Sequence, residues 1–183
     1  MGNLKSKLKR SKSKSRKSGH VNLPDSSSSR KTVDPRLPFG NYRQVFSIRN
    51  AWKNVMRTME DTAKDHLIRF FERFPAYKEN FSDIKDLQTD DAMRESLEFE
   101  TRAVDIFQMF DDVIANLESV DIGLEEIHRV AASGSMTVVM VKDMKSTFME
   151  TLRHNLSDRL TDTTSENFNM LYDFIVAEME KAC

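Results

Sequence analysis

From residue 44 onward the apolar side chains recur at three- and four-residue intervals, the spacing of one helix face rather than the alternation of a half-buried strand. Ile48, Trp52, Val55, Met56 and Met59 make one stripe, and Ala63, His66, Leu67, Phe70, Phe71 and Phe74 make a second. The second stops at Pro75, where the ring blocks simple continuation, so a turn or a short new helix should begin there. Residues 76–90 read as an irregular connection holding Phe81 and Ile84. The longest stripe follows, with Phe99, Ala103, Ile106, Phe110, Val113, Ile114 and Leu117 on one face, and Asp90 and Asp91 as candidate caps near its start. A shorter helix carries Leu124, Ile127, Val130 and Ala131 and ends at "SGS", where Gly134 suits a left-handed position. Two more carry Val141, Met144, Phe148, Leu152 and Leu156, then Phe168, Leu171, Tyr172, Ile175 and Met179, with Ser165 as candidate N-cap of the last. "MTVVMV" at 136–141 is the one run that also suits a strand. The pattern predicts an all-α body.

Residues 1–38 have no such period and are rich in Ser, Lys and Pro, so they bury too little surface to offset chain entropy and read as disordered. The boundary is placed at 40, with a basic arm over 1–40 and one domain over 41–183. Charge divides the same way. The formal net charge is -1, yet residues 1–31 hold ten Lys/Arg and a single acid, Asp25, whereas the rest hold 18 basic and 28 acidic side chains, a balance of -10. Lys5, Lys7, Lys9, Arg10, Lys12, Lys14, Arg16 and Lys17 follow directly on Met1-Gly2-Asn3-Leu4-Lys5-Ser6, which fits the N-myristoylation pattern with Gly2 as acceptor. One acyl chain anchors weakly and needs a second signal such as a polybasic patch. Each cation near an anionic leaflet adds on the order of 1 kcal/mol. The pair points to an anionic membrane surface as partner, at the cytoplasmic face of the plasma membrane. A solvated tail, a transit peptide or a nuclear localisation segment, and with it a cytoplasmic or nuclear location, stays open. No aromatic residue interleaves the cations to stack bases, so nucleic acid is not expected. Phosphorylation at Ser6, Ser11, Ser13, Ser15 or Ser18 would release the arm, and the acidic body should stand off the lipid. The single cysteine, Cys183, favours a reducing compartment. No apolar run nears the roughly 20 residues of a membrane span.

Trp52, Pro75, Phe81 and Arg102-Ala103 add something more specific than helices. Their order and separations, with "RFPAYKENF" and "FDDVIANL", resemble the globin family: a Trp in the first helix, a Pro opening the short third helix, a Phe wedging the haem ring, then the distal position on the long helix. The resemblance spans 41–183 and implies a globin-like helical sandwich enclosing a haem pocket. It makes Phe81 the ring-wedging residue, lets Leu67 and Phe71 line the pocket from the second helix, and sets Ile106 one turn after the distal position. Simple core packing would bury these side chains equally. The distal residue is Arg102, long enough to meet a haem propionate at the pocket mouth.

The family's separation places the proximal residue at Ala131, whose methyl is no donor to iron. His128 lies three residues back, about 60° away around a helix, and is either the metal ligand or a half-exposed helix residue. His66 and His154 lie in other helices, His66 as a satisfied core histidine, and Met136, Met140 and Met144 read as packing. Two functions follow. One is a membrane-tethered haem protein that senses a small gas ligand such as oxygen or nitric oxide, or a redox state, and reports to an unidentified signalling protein. The other is a haem-free globin-fold interaction module. Bulk oxygen transport is disfavoured, since a carrier gains nothing from being held at a surface. No nucleophile–base pair or phosphate loop marks an enzyme.

Overall fold

The computed structural model describes residues 31–182. Gly2 and the eight arm cations lie outside the described residues, as does Cys183. Seven α-helices follow in order: α1 Tyr42–Val55, α2 Met59–Arg73, α3 Asp90–Glu95, α4 Leu97–Ala115, α5 Val120–Ser133, α6 Val138–Leu156 and α7 Asp162–Ala182. No strand occurs among the described residues, and none of their helices is long and apolar enough to cross a membrane.

Local chemistry sets most of the boundaries. The Asn41 side chain accepts from the Arg43 N–H to open α1. A 3₁₀ turn over Met56–Thr58 separates α1 from α2, which leaves Met56 exposed instead of completing the first stripe. Pro75 opens a second 3₁₀ segment, Pro75–Asn80, as a ring with fixed φ and no N–H favours at a helix start. Thr89 Oγ1 accepts from the Ala92 N–H and starts α3, while Ser96 Oγ accepts from the Phe99 N–H and starts α4, both at 3.2 Å. Asp90 and Asp91 therefore occupy the first turn of a separate short helix and do not cap the long one. Gly134 ends α5 at φ 68°. Thr137 Oγ1 caps α6 through the Met140 N–H, so "MTVVMV" forms no strand and is helical from Val138 onward. Thr161 Oγ1 accepts from the Thr164 N–H at 3.2 Å, which makes Thr161 the residue opening α7 and puts Ser165 inside it.

The helices bury their stripes on one another. α2 packs on α4 and α6, α4 on α5, and α7 on α1, α5 and α6. Trp52 of α1 stacks on Phe107 at 5.9 Å and on Phe148 at 6.3 Å, and its Nε1–H donates to Asp111 at 2.8 Å. Phe148 in turn stacks on Phe110 at 4.5 Å. Tyr172 crosses from α7 and donates its hydroxyl to the Val141 carbonyl at 2.7 Å, meeting the hydrogen-bonding demand of a buried phenol. Each such aromatic contributes roughly 1.5–3 kcal/mol by burial.

The compact unit begins at Lys31, ten residues before the boundary expected at 41. Leu37 and Phe39 are buried against the core, Arg36 pairs with Asp121 at 2.6 Å, and Lys31 reaches Glu118 at 2.9 Å. Two apolar side chains beside Pro35 and Pro38 cannot display a period, which is why this strap resembles linker in the sequence.

Candidate functional site

A cavity of about 280 Å³ opens between α4 and α5. Arg102, Asp105, Ile106 and Met109 form its α4 side, Glu126, Arg129 and Val130 form its α5 side, Phe81 adds its ring from the segment before α3, and Met136 also lines it. The interior is apolar and the rim is charged. Arg102 donates from Nε to Asp83 at 2.8 Å across the mouth, and this guanidinium holds the Asp83 carboxyl below the usual range. Arg129 pairs with Glu126 one turn back on α5.

The spacing of the sequence thus brings Phe81, Arg102 and Ile106 to one cavity. Leu67 and Phe71 lie behind it: Leu67 is fully buried, and the Phe71 ring packs edge-on to Phe81 at 5.6 Å and to Phe99 at 6.3 Å. Phe71 supports Phe81 from behind, and neither Leu67 nor Phe71 lines the cavity. Ala131 packs against the core beside the cavity, and its neighbour Val130 takes the cavity-facing place.

His128 faces elsewhere. Its side chain is 46% exposed and its Nε2 lies 3.8 Å from Glu178 of α7. Two residues along a helix are about 200° apart, so a helix that points Val130 at the cavity carries His128 away from it. His154 is exposed in a separate polar groove with Asp61, Asp65 and Asn155. His66 is fully buried, 5.3 Å from the Phe107 ring, and both of its nitrogens lack a hydrogen-bond partner, so it is a core histidine but not a satisfied one. Of the methionines, Met140 and Met144 are core, while Met136 lines the cavity.

Apolar walls with Arg102 and Arg129 at the mouth suit a flat amphiphile carrying carboxylates, which is the character of a porphyrin with its propionates. The donor set is less complete. The cavity surface presents no imidazole, and the haem donors it does offer are the thioethers of Met109 and Met136. Met109, Glu126, Arg129 and Val130 escaped the sequence reading. For Glu126, Arg129 and Val130 the signal exists only once the rotation of α5 about its axis is known.

The Globin family model matches residues 64–179. Cytoglobin-2 of Oryzias latipes is 32% identical over 71 residues, 39% of this chain and 40% of that protein. Cytoglobin-2 of Danio rerio is 31% identical over 70 residues, 38% of this chain and 39% of that protein. The chain thus aligns with about 40% of the length of these curated relatives. A crystal structure of a hexacoordinated heme protein from an anhydrobiotic tardigrade, at pH 4, superposes with a TM-score of 0.76 at 24% identity, covering 81% of this chain and 97% of that chain, which is a likeness of fold. With the family match running from Lys64 in α2 to Met179 in α7, over helices already ordered around Trp52, Pro75 and Phe81, this chain belongs to the globin family.

Proposed function

We propose that this globin binds haem in the α4–α5 cavity and reports a small-gas-ligand or redox state from an anionic membrane surface. The observation that carries the haem reading is the convergence of Phe81, Arg102 and Ile106 on one apolar cavity whose mouth holds two guanidiniums, Arg102 and Arg129, each paired with a carboxylate. In this reading Phe81, Ile106, Met109, Val130 and Met136 hold the ring by apolar contact, and Arg102 and Arg129 meet the propionates. Bound haem would supply an iron centre for diatomic ligands or single electrons. Arg102 would then exchange Asp83 for a propionate, so ring binding and the mouth ion pair compete.

The test is an absorption spectrum of protein produced with haem available. A retained Soret band supports the reading, and its loss or shift in Met109→Ala or Met136→Ala identifies the axial donor. Correctly folded, haem-supplied protein without the band removes the reading. Haem should also raise the melting temperature, since a ligand of the native state stabilises it.

A second reading, a haem-free interaction module, is favoured by one observation: the cavity-facing side of α5 offers Val130 and no histidine. The cavity, about 280 Å³, is also below the usual size of a cofactor site, about 300–1,000 Å³. In that case the same spectrum is empty while the fold melts cooperatively.

Tethering rests on Gly2 and the eight arm cations. Their removal, as Gly2→Ala or as neutralisation of Lys5 to Lys17, should abolish partition to vesicles containing phosphatidylserine. Partition equal to the parent's removes the tether. Holding a sensor where its partner also resides raises effective concentration, which a bulk oxygen carrier does not need.

A further inference from the structure

Helix α1 contains no acid from Tyr42 to Val55. Its buried side is Val45, Ile48, Ala51, Trp52 and Val55, so its outward side presents Arg43, Phe46, Asn50 and Lys53, continued by Arg57 in the next turn. Phe46 is 58% exposed, and Met56 is exposed at the end of the same strip. Arg49 on the flank pairs with Glu118, whereas Arg43, Lys53 and Arg57 make no ion pair among the described residues. Arg57 meets the neutral Asn54 amide oxygen instead.

An exposed benzyl group among unpaired cations is unusual on a body whose balance is -10. Of the other exposed apolar side chains, Val139 stands one turn before Lys142, which is paired with Glu180, whereas Leu97 stands beside Glu98 and Ile122 beside Asp121. An anionic surface repels those two faces and attracts α1.

We propose that the outward face of α1 docks on an anionic bilayer, with Phe46 and Met56 entering the boundary between headgroups and acyl chains and Arg43, Lys53 and Arg57 meeting lipid phosphates. The inference rests on the tethering reading. The last of the eight arm cations, Lys17, stands about 25 residues before the start of α1, so once the arm is held, the α1 contact becomes intramolecular and a modest face suffices. Basic amphipathic helices lie in the interface in this manner, apolar side chains inserted and long cations snorkelling to the phosphates. The acidic body then does not stand off the membrane at random but is oriented, α1 down and its acidic faces away.

The experiment uses the full chain with vesicles of phosphatidylcholine, with or without phosphatidylserine. Phe46→Ser, Lys53→Gln and Arg57→Gln combined change exposed positions, so the unfolding midpoint should match the parent's. Partition to phosphatidylserine vesicles should weaken by about tenfold or more, given the gain expected per cation near an anionic leaflet. Separately, the Phe46→Trp indole should be quenched by brominated anionic lipid, while the parent, whose Trp52 is buried, is not. If the parent partitions, the arm variants lose it and the triple variant does not, tethering stands and this inference falls. If the parent fails to partition at all, both fall. A triple variant that keeps its vesicle affinity but loses binding to single-stranded RNA would overturn the lipid assignment.

Discussion

His66 is the residue at which the core departs most from chemical comfort. On α2 it is fully buried against Phe107 of α4 and Phe148 of α6 with both nitrogens unpartnered, and Thr151 of α6 has a buried hydroxyl without a partner as well. Burial pulls the imidazole down to about 4 from 6.5, opposed by the Thr147 backbone and the Asp65 carboxylate. In the unfolded chain the ring takes a proton below 6.5, whereas in the folded chain it refuses one until about 4. The unfolded state therefore binds more protons across that window, and stability must fall as pH is lowered through it. The ceiling on this loss is about 3 kcal/mol for a shift of this size. His66→Leu should raise the melting temperature near neutrality, because it deletes unsatisfied polar atoms. It should also flatten the stability curve from pH 6.5 to 4, as urea midpoints taken across that range would record. A variant curve parallel to the parent's would assign the acid sensitivity to other groups.

At the scale of elements, capping chemistry and packing divide the control. Gly134 sits at φ 68° with nothing within 4 Å of where a Cβ would stand, so Gly134→Ala carries a backbone cost alone, about 1 kcal/mol. Ser96→Ala removes the oxygen that opens α4 and should cost a similar amount, about 1 kcal/mol. Thermal unfolding of the two variants would check both figures. The six long helices were legible because each buries one stripe over several turns. The six-residue α3 was not, since it presents just Met93 to the core and has no period to display. Part of the cavity was legible for a related reason: Arg102 and Ile106 stand about one turn apart on α4, whose buried face is unambiguous, and Phe81 stands at a fixed separation before them. The α5 side depends on how the chain turns through 116–119, and a single-residue difference in register rotates a helix by about 100°. That rotation exchanges Ala131 for Val130 at the cavity and sends His128 to Glu178, and no local sequence signal encodes it.

For the whole molecule, the strap over residues 31–40 decides where the folded unit begins and what joins the arm to it. Two kinds of contact hold it: Leu37 and Phe39 are buried, while Arg36–Asp121 and Lys31–Glu118 lie at the surface. The ion pairs shift their partners visibly, since hydrogen bonds from Tyr42 and Lys31 hold the Glu118 carboxyl down to about 2. A shift on a group this exposed says little about stability, because water and salt screen the same charges. Burial should therefore dominate. Phe39→Ala is expected to cost about 3 kcal/mol, the loss of a packed aromatic plus the space it leaves. Arg36→Gln should leave the urea midpoint close to the parent's, and whatever small difference it makes should vanish in molar salt. Urea unfolding at low and high ionic strength reads both variants. If Arg36→Gln proved as damaging as Phe39→Ala, and salt reproduced its effect in the parent, the strap would be an electrostatic clasp. A charged surface could then loosen it from the body. If apolar burial holds it, the strap would stay fixed were the arm to meet lipid as proposed, and a pull on the arm would reach the N-terminal end of α1.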